Sequence, residues 1–241
     1  MSAISNIISS IARSDADLDG LPLTIRVDPR ARRLRLKVDR RARALLLTVP
    51  PRVSRRRALA WAAEHREWAE RALTALPANV PFAPGATIPV EGIPHRIDWS
   101  SARPRRIEVA DGRLLAGGPI EGLDRRVRRW LKEAAIATLD AETREYAAKA
   151  GVMPSRVSIG DPVSRWGSCA ASGAIRYSWR LILAPEFVRR ATVAHEVAHL
   201  VHMNHGPAFH ALVADLFGAD PRPARAWLRR EGAGLHFVGA T

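Results

Sequence analysis

The segment from Pro185 to Val201 constrains the fold more than any other part of the chain, because it places two histidines within a run of apolar residues. His195 and His199 are four residues apart, so on a helix they project from the same face, one turn apart. The apolar positions around them are Phe187, Val188, Val193, Val197, Leu200 and Val201. These surroundings predict a buried helix, and Pro185 is a suitable residue to begin it. Because buried imidazoles without partners are unfavourable, the pattern also predicts a ligand for the two rings.

Glu196 completes the pattern His-Glu-x-x-His. Two imidazoles at this spacing can bind one zinc ion, and the glutamate beside the first can act as general base for the water that the zinc activates. We therefore expect one zinc ion per chain, with His195 and His199 as ligands and Glu196 as the catalytic residue.

His205 is the expected third ligand, although a continuous helix would turn it away from the other two. It lies six residues beyond His199, a rotation of about 120° from the ligand face. The chain must therefore bend, and we expect Gly206 and Pro207 to supply the break that ends the helix.

Two further histidines lie close in sequence to this set. His202 would lie on the same helix face as His195 but about 10 Å further along the axis, so we expect it beside the site or on the surface. His210 is the alternative to His205 as third ligand. Either choice gives three neutral imidazoles, which leave one coordination position for water, as catalytic zinc sites require.

Hydrophobic periodicity predicts an α+β protein whose N-terminal half is rich in β-strands. Residues 33–38 alternate strictly between basic and apolar, and with the apolar residues 44–49 they predict a hairpin with one basic face. One helix should follow from Ser54 to about Leu76. The Gly- and Pro-rich stretch 81–118 contains four short strand candidates and predicts a β-meander.

The second half reads as helical. A long helix is predicted over residues 123–150, followed by a strand over 156–160 and a hairpin of 165–169 with 174–183. We therefore expect a flexible N-terminus (1–20), a β-rich basic region (21–118), and a helical metal-binding catalytic domain with a small antiparallel sheet (119–241).

The charge of the chain is strongly positive, with a formal net charge of +14 and a pI near 11.4. Such a field attracts polyanions, so nucleic acid, nucleotides and acidic surfaces are open as partners, as is a solvated surface with no dedicated ligand. The basic face of the predicted hairpin carries no aromatic residue on which a base could stack. Non-specific nucleic-acid binding through the arginine-rich surface is therefore one alternative.

The sequence predicts a cytoplasmic protein without a membrane segment. No apolar run approaches the roughly 18 residues needed to cross a bilayer. The first twenty residues lack the basic start of a signal peptide. Cys169 is the only cysteine, so no intramolecular disulfide can form, and we expect a buried thiol there.

Three segments make the chain similar to the YgjP-like family of predicted zinc metallopeptidases, which is distantly related to SprT-type zinc proteins. They are Ser164–Cys169 with Arg180–Pro185, His195–Leu200, and Asn204–Phe209. Residues 26–76 match the family more loosely. The resemblance implies a zincin-like fold for residues 119–241, in which the strand at 165–169 lies beside the zinc helix.

The same resemblance implies roles for residues around the zinc. Arg165 and Ser168 would contact the substrate, and Trp166 would pack. His210 stands where the family usually has tryptophan, which leaves open a polar substrate contact or a competing metal ligand.

Three functions are consistent with these features. The first is a zinc-dependent hydrolase, by resemblance a metallopeptidase acting on a peptide or protein. The second is a metal-dependent pyrophosphohydrolase of a nucleoside triphosphate (UTP-like), which the arginines favour because guanidinium groups pair bidentately with phosphate. The third is a nucleic-acid-associated zinc protein.

Overall fold

The structure, a computed structural model, describes residues 13–40 and 42–240. The chain forms two compact units, Met1–Ala78 and Asn79–Thr241. The boundary expected near residue 118 therefore falls inside the second unit. Of the N-terminal segment expected to be flexible, residues 1–12 lie outside the described part, whereas Arg13–Leu18 forms a strand.

A four-stranded mixed sheet forms most of the first unit. Its strands are β1 (Arg13–Leu18), β2 (Leu21–Val27), β3 (Arg35–Asp39) and β4 (Ala44–Val49), in the order β1-β2-β4-β3. β2 and β4 are parallel, and the two outer pairs are antiparallel. The predicted hairpin of β3 and β4 is confirmed, with Leu36 opposite Leu47 and with Arg35 and Lys37 exposed.

Two helices follow where the sequence predicts one: α1 (Arg55–Ala63) and α2 (Arg66–Thr74). As predicted, Ser54 caps α1, and its side chain accepts a hydrogen bond from the Arg57 amide. The interruption lies at His65, whose Nδ1 bonds the Trp61 carbonyl at 2.9 Å. That carbonyl would accept the His65 amide in a continuous helix, but the amide bonds the Ala62 carbonyl instead.

The second unit contains a sheet with the same order of strands as the first. Its strands are β5 (Thr87–Val90), β6 (Ile93–Ser100), β7 (Ile107–Ala110) and β8 (Arg113–Gly117), in the order β5-β6-β8-β7. The predicted β-meander is wrong, because β6 pairs in parallel with β8 rather than with β7. Arg103 holds the loop between β6 and β7 through a bidentate ion pair with Asp98 at 3.0 and 3.2 Å. The loop passes so close to Gly117 that no side chain would fit there.

The rest of the second unit is a helical layer with a small sheet. The long helix α3 (Leu123–Lys149) is followed by β9 (Arg156–Gly160), β10 (Gly167–Cys169) and β11 (Ala174–Ser178). This sheet has the order β10-β11-β9 and is mixed, not antiparallel as predicted, because β9 pairs in parallel with β11. Residues Trp179–Leu183 form a 3-10 helix instead of extending the strand. Helices α4 (Glu186–Ala198), α5 (Pro207–Phe217), α6 (Arg222–Arg230) and α7 (Gly232–Leu235) complete the unit.

The β5–β8 sheet belongs to the second unit because it shares that unit's core. Ile88, Ile97 and Leu114 lie in one buried cluster with Leu131 of α3 and Val193 of α4. The turn after β5 is also bonded to the 3-10 helix, since the amides of residues 91 and 92 donate to the carbonyls of residues 182 and 183.

The fold class is α+β, as predicted. Within residues 13–40 and 42–240, no helix combines the length and apolar character needed to cross a bilayer.

Candidate metal centre

Helix α4 carries the first two histidines, but it ends earlier than the sequence predicts. Its last residue is Ala198, and His199 is the C-cap. The chain then tightens, because the amides of Leu200 and Val201 bond carbonyls three residues back. Gly206 and Pro207 therefore do not supply the break. They begin α5, with Gly206 as the N-cap and Pro207 as its first residue, where a missing amide hydrogen costs nothing.

The early bend brings His195, His199 and His205 together. One ring nitrogen from each lies within 4.8 Å of the others, and the Nε2 atoms of His195 and His205 are 3.3 Å apart. Two ligands at the usual Zn–N distance of about 2.0–2.1 Å from a tetrahedral ion are roughly 3.3 Å apart. The donor set therefore fits a zinc ion in both chemistry and spacing.

A backbone carbonyl orients one of the three rings. His199 donates from Nδ1 to the carbonyl of His202 at 3.1 Å, which leaves its Nε2 lone pair free for a metal. His202 thus acts through its backbone. The expected separation of about 10 Å from His195 assumed a continuous helix, whereas α4 ends at Ala198.

Phe209 is a member of the site that sequence reasoning missed. It is fully buried, and its ring centroid lies 4.9, 4.5 and 4.7 Å from those of His195, His199 and His205. The available signal was its position four residues after His205, in the first turn of the helix that follows this histidine. Its ring packs against all three imidazoles and restricts their rotamers.

Glu196 lies on the buried side of α4 and is only 6% exposed. Burial raises the pKa of its carboxyl to about 7, although the charge of Arg165 opposes the shift. Burial, reinforced by the neighbouring histidines, lowers the pKa of His195 to about 4, so its ring is neutral at pH 7 and can donate a lone pair.

Gly167 of β10 allows the strand to approach this carboxyl. A Cβ atom at that position would lie 2.5 Å from Glu196 Oε1, 2.6 Å from Cγ and 2.7 Å from Cδ. The strand at 167–169 therefore lies beside the histidine helix, as the family resemblance implies.

A pocket of about 200 Å³ opens next to His195 and Glu196. Most of its wall is apolar and comes from four separate segments: Trp166 beside β10, Ala191 of α4, Val213 of α5, and Ala224 and Leu228 of α6. Arg225 is its only charged lining residue besides Glu196 and has no carboxylate within ion-pair distance in the described chain. Neither α6 nor Arg225 was predicted to belong to the site.

The remaining predicted site residues lie around this centre. Arg165 is exposed and close enough to influence Glu196, and Ser168 is half-buried on β10 opposite Arg176. His210 is exposed on α5, with its ring 6.3 Å from that of His205 and outside the three-histidine cluster found in the described residues. Cys169 is half-buried, and burial raises the pKa of its thiol.

Comparison with known families agrees with the geometry. A YgjP-like family model, described as a metallopeptidase domain, matches residues 32–231. The chain therefore belongs to the YgjP-like family, which confirms the resemblance noted in the sequence. Membership of this family supports a metal-dependent hydrolase, and the three-histidine cluster is compatible with it. No curated protein and no solved structure matches the chain.

Proposed function

We propose that the protein is a zinc-dependent peptidase in which His195, His199 and His205 bind the metal and Glu196 is the general base. The observation that carries this proposal is the 3.3 Å separation of two Nε2 atoms, with the third imidazole within 4.8 Å. Bound zinc supplies Lewis acidity to the scissile carbonyl and to the attacking water.

Glu196 performs the proton transfers. Its carboxylate accepts a proton from the attacking water at Oε1 or Oε2 and then delivers that proton to the leaving amine. The close approach of Gly167 restricts this side chain, which lines the same pocket as His195. Burial excludes competing water from it, which strengthens its electrostatic interactions with the reacting atoms.

The substrate chain is held by β10 and the adjacent pocket. β10 is an edge strand of its sheet, so an extended peptide can pair with residues 167–169 through backbone hydrogen bonds. Ser168 and Arg165 lie on this strand and next to it, and they contact the peptide there. The apolar pocket accepts one substrate side chain, and His210 borders the exposed side of the cluster.

A pyrophosphohydrolase acting on a nucleoside triphosphate is the second candidate. It is favoured by Arg225, a guanidinium beside His195 that has no ion-pair partner among the described residues. Arg165, on the Glu196 side, adds a second cation that could contact phosphate.

One experiment separates the two candidates. Wild type and Glu196→Gln are assayed side by side against a quenched fluorescent peptide library and against nucleoside triphosphates. We expect peptide cleavage by wild type only, with equal zinc content in both proteins. Cleavage of triphosphates alone would replace the first candidate by the second, and full turnover by Glu196→Gln would remove this residue as the base.

The ligand set is tested by metal analysis of two matched variants. We expect His205→Ala to lose zinc and His210→Ala to retain about one zinc ion per chain. Zinc loss confined to the His210 variant would reassign the third ligand.

A further inference from the structure

The first unit contains a basic groove that the metal chemistry does not use. It has a volume of about 970 Å³ and lies between the loop that follows β2 and the turn that follows β4. The two segments meet because β2 and β4 are parallel and end side by side, with the Asp28 amide bonded to the Val49 carbonyl. The volume lies within the range of about 300–1,000 Å³ that is usual for ligand sites.

Four arginines line this groove: Arg32, Arg33, Arg52 and Arg57. All four are exposed, and no carboxylate lines the groove with them. Within the described chain none of the four guanidinium groups forms an ion pair or a side-chain hydrogen bond. The nearby carboxylate of Asp28 is already occupied, since it accepts from Arg26 and from the Arg30 amide.

The groove differs from the helix faces on which arginines and carboxylates lie one turn apart. On those helix faces an exposed arginine is paired with a carboxylate one turn away, for example Arg71 with Glu67 and Arg144 with Asp140. Four unpaired cations around one concave surface concentrate positive potential there, which favours an anionic ligand with several charges.

Trp61 adds an aromatic surface to the same groove. It is half-buried, and its other contacts include the His65 ring, at 4.3 Å between centroids. The sequence offered no aromatic on the basic face of the β3–β4 hairpin. Trp61 of α1 does not lie on that face; it packs against the apolar cluster of the first unit and lines the groove beside Leu34. An indole beside unpaired guanidinium groups matches a ligand that carries phosphates and flat bases together.

We propose that this groove binds single-stranded nucleic acid, with the four arginines contacting phosphates and Trp61 stacking on a base. A duplex fits less well, because its bases are already stacked on each other and present no free face to the indole. The site lies entirely within the first unit, so the proposal does not depend on the metal chemistry.

The test measures binding of a labelled oligothymidylate by fluorescence anisotropy over a range of salt concentrations. An oligonucleotide of about 12 nucleotides is suitable, because sites for single-stranded nucleic acid cover about 4–16 nucleotides. Four phosphate contacts predict that log K falls with log salt at a slope of about −2.8, since each contact to a single strand contributes about 0.7. Arg32→Gln/Arg57→Gln should reduce the slope to about −1.4 and weaken binding by about tenfold.

The matched control is Arg71→Gln/Arg144→Gln, which removes the same net charge from ion-paired positions. We expect it to change the affinity by less than about twofold, because neither guanidinium group lines the groove and each is already paired with a carboxylate. Trp61→Leu should weaken binding by about fivefold or more and leave the salt slope unchanged, because it removes stacking alone. Its folding is checked by circular dichroism, and if it does not fold the arginine pairs decide the question.

Four results would overturn the proposal. The first is no binding at low salt, and the second is an equal loss in both arginine double variants. The third is equally tight binding of a duplex of the same length. The fourth is competition by inorganic tripolyphosphate that matches the oligonucleotide at equal phosphate concentration, which would make the groove a general anion site.

Discussion

Replacing Gly167 by alanine tests whether the close approach of β10 positions the Glu196 carboxylate. The new Cβ would lie 2.5 Å from Oε1, 2.6 Å from Cγ and 2.7 Å from Cδ of Glu196. An ordinary contact is about 3.5–4.0 Å, so the side chain must move by roughly 1 Å. Rotating the carboxylate is not enough, because Cγ is as close as the oxygen.

A displacement of this size has a predictable effect on catalysis. Misplacing a catalytic group by about 1 Å costs on the order of 100-fold in rate, or about 2.7 kcal/mol. We expect kcat for the peptide selected from the library to fall by about that factor in Gly167→Ala. Zinc content should stay at about one per chain, because Glu196 is not a ligand in the proposed site.

Two controls make the result specific to Glu196. Gly234→Ala adds the same methyl group where nothing lies within 4 Å, so its activity should match that of wild type. In the Glu196→Gln background, Gly167→Ala should cause little further loss, because both changes act on one group. An unchanged kcat in Gly167→Ala, a loss of zinc, or an equally large loss in the Glu196→Gln background would refute the reasoning.

Three further predictions follow from single contacts. Arg189→Met should lower the free energy of unfolding by about 3 kcal/mol at neutral pH, because it leaves Glu142 buried with only Arg190 nearby, at 3.9 Å. Burial already raises the pKa of Glu142, and removing Arg189 raises it further. Between about pH 5 and pH 7 the unfolded variant then binds fewer protons than the folded variant, so its stability falls as the pH rises. In urea titrations the difference in free energy of unfolding between wild type and variant should therefore grow over this range, and a difference that does not change with pH would contradict this. Phe209→Leu should weaken zinc binding by about tenfold in chelator competition, because it loosens the packing around the three imidazoles, and unchanged affinity would contradict that role. His202→Ala should leave zinc affinity unchanged, because only its carbonyl contacts His199, and a marked loss would show that the ring itself takes part.

The three-histidine cluster could be predicted because its members lie within eleven residues of one another. Over that distance helix periodicity places His195, Glu196 and His199 correctly. The same reasoning failed for the position of the bend, since it depends on hydrogen bonds formed three residues back at Leu200 and Val201. Hydrophobic periodicity identifies a helix, but it does not identify the residue at which the helical hydrogen-bond pattern changes and the helix ends.

The remainder of the site depends on contacts between distant segments. Gly167, Leu228 and Arg225 approach Glu196 or His195 only after α6 and the β9–β11 sheet have packed against α4. No local pattern around these residues signals that arrangement. A glycine in a strand does indicate a close approach of another group, but the sequence does not identify that group.

Strand positions were predicted better than strand partners. Alternation located β3 and β4 and predicted their hairpin correctly, because a short turn joins antiparallel neighbours. It could not predict that β2 pairs with β4 and β6 with β8 in parallel, since in each case the chain passes through another strand of the same sheet before returning. After such a crossover, strand pairing depends on which strand faces pack together in the core. That packing involves residues far apart in the chain.

The early end of α4 accounts for two features of the candidate metal centre together. Because the chain leaves the α-helix at His199, the residues after it turn back, and the His202 carbonyl comes within 3.1 Å of the His199 ring. The same turn removes the rotation of about 120° that a continuous helix would impose on His205. The bend that brings His205 to the cluster is thus also the bend that orients the ring of His199. The bend is made by backbone hydrogen bonds from Leu200 and Val201 to Val197 and Ala198, which residues other than glycine can form.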